Sequence, residues 1–153
     1  MNSPNQQYQK QSRGPGSAQP PSKPPLKAVE VKFYKDPEKK LINPDLLDKD
    51  AEKQASELHA KINSAQIRRF FGEVKNLYFR LKEGRPWEEL EPFVRMLKSK
   101  ALYAAGTGRI PEEFCAFIKD NIDRIKDSKD FEAFVLYFEA VLGYAYGKGM
   151  VKK

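Results

Sequence analysis

A chain of 153 residues has room for one domain and a tail, and its formal net charge of +7 leans towards a polyanionic partner. The single cysteine, Cys115, excludes an internal disulfide framework and any multi-cysteine zinc site. The first thirty residues lack the apolar stretch of a signal peptide, and the longest nearly apolar run, Ala133 to Tyr146, contains Glu139 and is too short to span a bilayer. The expectation is a soluble cytoplasmic protein with no membrane segment, no metal and no cofactor.

Residues 1–28 hold six of the eleven prolines and only one leucine. They bury too little apolar surface to offset the entropy of ordering, which predicts a disordered, weakly basic tail. Over residues 29–43 the apolar residues Val29, Val31 and Phe33 alternate with polar ones, as in a short strand or an extended arm. Residues 44–149 change to helical spacing and form the predicted helical bundle domain. A first helix over residues 45–60 is mostly polar, with sparse apolar positions at Leu46, Leu47, Ala51, Ala55 and Leu58, so a peripheral place is expected.

The second helix is capped by Asn63 or Ser64 and ends at Gly84. Its stripe of Ile67, Phe70, Phe71, Val74, Leu77, Tyr78 and Leu81 recurs at three and four. Pro86 opens a third helix with a core of Trp87, Leu90, Val94, Leu97, Ala101 and Ala104. Pro111 opens a fourth, with Phe114, Phe117, Ile118, Ile122 and Ile125 inward. Ser128 caps a fifth, with Phe131, Phe134, Val135, Phe138, Leu142 and Ala145 inward. Connections of a few residues favour antiparallel neighbours. The fold class is all-α, a compact bundle of four to five helices.

Enzyme chemistry finds no foothold in this pattern. The one histidine, His59, lies on the polar first helix, where a solvent-facing place is expected, and no nucleophile-elbow pattern accompanies it. Glu88, Glu89, Glu112 and Glu113 follow helix starts, where the helix dipole favours carboxylates without any acid–base role. The Gly106-Thr107-Gly108 sequence follows a helix C-terminus, the reverse of the strand, glycine loop and helix order that cradles a phosphate. Gly106 is therefore expected as the left-handed helix stop, with Gly108 easing the turn.

Charge is unevenly distributed. Residues 60–109 carry eleven basic and five acidic side chains, whereas residues 110–139 carry four basic and eight acidic. On the second helix Arg68, Lys75 and Lys82 recur at seven, about a right angle from the core stripe, with Phe79 on the same side. Arg69, Asn76 and Arg80 form a second row. Lys98 and Lys100 flank opposite edges of the third helix's core, and Arg109 projects from the following turn. Such a surface suits a phosphate backbone, and it equally suits a solubilising face whose aliphatic stems cover the core edge. Met96 and Tyr103 lie opposite the core of the third helix, while Tyr137, Ala140 and Tyr144 give the fifth helix a second apolar face. The fifth is thus expected to be central, with some share in a subunit contact.

Three segments together resemble the small subunit of the type III-A CRISPR interference complex, the Csm small-subunit family. They are SAQIRRFFGEVKNL at 64–77, LKSKALYAAGTGR at 97–109 and DFEAFVLYFEAVLGYAYGKG at 130–149. Gln66 and Arg68 match its first element, Lys100, Tyr103 and Arg109 its second, and Phe131, Phe134, Glu139 and Ala140 its third. The Pro-rich tail lies outside that pattern, and Gly106 to Gly108 lengthen the turn before Arg109. The resemblance implies a non-catalytic helical subunit present in several copies, side by side or as a homodimer. It would pack against the large and backbone subunits and contact guide (crRNA) and target RNA through phosphate and shape. Two other readings stay open: a purely structural assembly subunit without RNA contact, and a free-standing basic helical nucleic-acid-binding protein.

Overall fold

The computed structural model describes residues 26–58, 62–149, 151 and 152. The predicted tail over residues 1–28 therefore lies outside the described residues except at its end, where Ala28 is already buried. His59 lies outside them as well. A short 3-10 turn, Pro44–Leu47, leads into α1 (Lys49–Ser56), followed by α2 (Ser64–Lys82), α3 (Trp87–Gly106), α4 (Glu112–Arg124) and α5 (Ser128–Gly147). Two residue pairs add a minimal parallel ladder, β1 (Ile62–Asn63) beside β2 (Val151–Lys152). No helix among the described residues is long and apolar enough to cross a membrane.

The predicted stripes become the core. Val74, Val94, Ala101, Phe117, Ile118, Phe134 and Phe138 are fully shielded from solvent. Rings from three helices meet there: Phe117 of α4 stacks on Phe138 of α5 at 5.2 Å and 12°, and Phe70 of α2 meets Phe114 of α4 edge-on at 5.7 Å. Offset and edge-to-face geometries of this kind add to the transfer free energy of each buried ring, about 1.5–3 kcal/mol. α5 is central, as expected. Its buried residues Ala133, Phe134, Tyr137, Phe138 and Val141 form one broad face, Leu136, Glu139 and Tyr146 stay exposed on the other, and it packs on both α1 and α2.

Four expectations need correction. α1 is not peripheral: Ala51 and Ala55 are fully buried against α5, because small residues let the two backbones approach. α5 is capped by Asp127 rather than Ser128, the Asp127 carboxylate accepting from the Asp130 N–H at 2.9 Å. The left-handed residue after α3 is Gly108 (φ +75°), while Gly106 is still helical. Arg109 N–H donates to the Ala104 carbonyl at 2.8 Å and Gly108 N–H to that of Ala105 at 3.1 Å, the paired bonds of a Schellman stop. Tyr137 is wholly buried and belongs to the core of this chain rather than to a contact face.

Residues 26–43 are an arm that folds back on itself and straps the bundle. Val29 N–H donates to Oε1 of buried Gln54 on α1 at 2.9 Å, and Ala28 N–H to Asp120 on α4 at 2.7 Å. Tyr34 and Ile42 form an antiparallel bridge around a loop in which Lys39 adopts φ +58°. That left-handed lysine is held by Asp127 at 2.6 Å and Asp130 at 3.0 Å, while the Tyr34 hydroxyl donates to the Lys129 carbonyl.

Candidate functional site

α2 and α3 pack side by side and leave between them an open groove of about 430 Å³. Helical spacing sets its walls. Gln66, Arg69 and Glu73 recur at three and four on α2; Met96, Lys100 and Tyr103 do the same on α3. Phe70 and Ala104, both nearly buried, form the floor. The Schellman stop after α3 turns the chain so that Arg109 joins the rim, its guanidinium 6.0 Å from the centre of the Tyr103 ring.

The predicted cations divide into three groups. Arg68, Arg69 and Arg109 are exposed, and no carboxylate lies within ion-pair reach of them among the described residues. Three lysines are paired within the chain: Lys100 with Glu73 at 2.9 Å, Lys98 with Asp123 of α4, and Lys82 with Glu132 of α5. The hydrogen bond that the Lys82 ammonium donates to Glu132 holds its pKa above the ordinary value. Lys75 is of a different kind, with its ammonium 5.2 Å from the centre of Phe79, 5.3 Å from that of Tyr78 and 5.9 Å from that of Phe71.

The groove thus gathers Arg69, Lys100 and Arg109 with Met96 and Tyr103, which sequence reasoning had assigned to two different surfaces. It does not gather Lys82 or Lys98, which face α5 and α4. Arg68 and Lys75 lie on α2 outside its lining. Tyr144 is half-buried and donates to Asp48 at 3.2 Å, so it serves the α1–α5 packing. Phe93 and Leu102 went unnoticed in the sequence and are 53% and 51% exposed. Phe93 precedes Met96 by three and Tyr103 by ten, and this spacing is the signal that extends the outward apolar stripe of α3.

The arrangement offers a cationic rim over an apolar floor, flanked by an apolar ridge on α3. The one carboxylate in its lining, Glu73, is already engaged by Lys100. Cys115 is buried, and burial pushes its thiol pKa up, away from the reactive thiolate.

A protein-family model described as Csm2 Type III-A matches residues 42–149, which takes in every helix and the groove. No curated protein and no solved structure gives a significant match.

Proposed function

This chain belongs to the Csm2 type III-A family, the small subunit of the Csm complex, and on that footing we propose a non-catalytic role in which its α2–α3 face lies along the guide and target RNA. Arg69 and Arg109 contact phosphates, Arg68 and Lys75 add cations on the adjoining side of α2, and nothing in the contact depends on base identity. A complex that recognises its target by base pairing needs only shape and charge from such a subunit. The observation that carries this reading is the convergence of Gln66, Lys100, Tyr103 and Arg109 on one groove whose arginines make no internal ion pair among the described residues. These are residues on which the family resemblance rests, and they come from distant parts of the chain.

Neighbouring subunits meet the ridge where it leaves the groove, at Phe93, which is 53% exposed and lies outside the groove lining. Copies held side by side along the RNA make a weak contact per copy sufficient, through effective concentration. Within this role the protein is cytoplasmic.

The test is replacement of Arg69 and Arg109 by alanine in the assembled complex. Both side chains are exposed, so the fold is retained. Target-RNA affinity falls, and the slope of log affinity against log salt drops by about 0.7–0.9 for each lost phosphate contact. An unchanged slope with unchanged target cleavage rejects the reading. The exposed ridge favours one competing role, a subunit that only assembles its neighbours. In that case Arg68→Glu blocks co-purification of the complex while RNA binding by the remaining assembly is unaltered.

A further inference from the structure

A surface that merely follows phosphates gains nothing from apolar walls, yet the α2–α3 groove has them. Phe70 and Ala104 line its floor, and Met96 and Tyr103 stand 48% and 64% exposed at its side. The rim carries the opposite chemistry, with Arg69 and Arg109 free of internal ion pairs among the described residues. An apolar interior under a cationic edge matches the polarity of one molecule class in particular: a flat aromatic base attached to a phosphate.

Resting on the proposal that RNA lies on this face, we infer that the groove takes up an unpaired nucleobase of that RNA, with its phosphate on Arg69 and Arg109. The groove's roughly 430 Å³ falls within the range of small-molecule sites and holds a base with room for its sugar. Tyr103 is the stacking surface. Arg109 lies over one face of that ring, 6.0 Å from its centre, so a base stacks on the opposite face with the cation still close to its phosphate. The polar wall does not select one base. Gln66 offers both a donor and an acceptor, Ser99, whose hydroxyl donates to the Met96 carbonyl, adds an acceptor, and Lys100 is neutralised by Glu73, so the wall is not matched to one base edge. The uptake is therefore tolerant of sequence, as stacking is in general. The competing occupant, an apolar side chain from an acidic neighbouring subunit, is separated by the experiment.

The full-length chain is titrated with a short single-stranded RNA of mixed bases and with an abasic strand of equal length and charge. The base-bearing strand binds roughly fivefold to a hundredfold more tightly, the range expected for stacking of one base. Tyr103→Ala brings that ratio close to one, Tyr103→Trp restores it, and Arg69→Ala weakens both strands alike. Equal affinity for the two strands overturns the inference and leaves RNA contact by this face intact. Binding of neither strand by the folded chain at about millimolar concentration, the effective concentration that assembly supplies, overturns both. A base preference that survives Tyr103→Ala, with neighbouring subunits lost from the complex instead, assigns the groove to protein docking and overturns the inference alone.

Discussion

Lys100 of α3 and Glu73 of α2 close an ion pair across the groove, Nζ to Oε2 at 2.9 Å, with their side chains 47% and 33% exposed. A pair this open adds at most about 1 kcal/mol to stability, so its main effect is electrostatic. It removes one positive charge from the surface proposed to face RNA. Glu73→Gln is expected to leave the melting temperature nearly unchanged while tightening RNA binding several-fold at low salt, with the salt slope steepened by about 0.7–0.9. Weaker binding in a filter-binding titration would show that Glu73 positions Lys100 rather than neutralising it.

The two glycines after α3 are expected to respond in opposite directions. Gly108 holds φ +75°, so Gly108→Ala costs about 1–2 kcal/mol and disturbs the turn that presents Arg109. Gly106 is helical and a β-carbon there meets open space, so Gly106→Ala is neutral or stabilises by up to about 1 kcal/mol. Thermal unfolding of both variants checks this. The reverse order would contradict the Schellman assignment.

Asp127 joins the arm to the bundle, since it caps α5 and binds Lys39. Partial burial pushes its carboxyl pKa up, but the Lys39 ammonium and the Asp130 N–H outweigh that and hold it below its ordinary value of 3.8. A carboxyl depressed in the folded state contributes stability above pH 3.8, and that stability is lost as pH falls through the folded value. Asp127→Ala is expected to cost about 1–2 kcal/mol at neutral pH. Asp127→Asn keeps the cap and costs less, and its curve of stability against pH meets that of the native chain in acid. Urea unfolding as a function of pH is the measurement, and a constant gap down to strong acid would refute the linkage.

Tyr137 is buried with its hydroxyl unpartnered among the described residues. Tyr137→Phe removes a desolvated polar group without opening a cavity and is expected to stabilise by about 1 kcal/mol in urea unfolding. Burial raises this phenol far above its ordinary 10.0 and pushes Tyr34 up to about 12. A raised phenol contributes stability below pH 10.0 that is lost as pH climbs through the folded value, so alkaline unfolding should be shallower in Tyr137→Phe. A destabilised variant would contradict this.

Helices and core faces could be read from the chain because each rests on local spacing. The stripes Ile67–Val74 and Phe131–Phe138 repeat at three and four, and Pro86 and Pro111 mark where helices begin. What could not be read depends on partners distant in sequence. Lys82, Lys98 and Lys100 look alike in sequence, yet each finds a carboxylate on another helix. Tyr137 looks like a surface aromatic until α5 is seen packed on α1, with the Phe117 ring of α4 against it. The arm's hold on α1 and α4, through Gln54 and Asp120, has no periodic signature at all. The groove combined two sets of residues assigned separately, because an angle around one helix says nothing of the helix beside it.

The central claim is that RNA lies on the α2–α3 face. Ultraviolet cross-linking of the assembled complex bound to its target, followed by mass spectrometry of the adducts on this chain, tests it most directly. The account expects adducts within residues 64–82 and 96–109, with Tyr103 among the cross-linked side chains and loss of yield in Arg69→Ala. A complex that binds target RNA fully while this chain carries no adduct on either helix would contradict it.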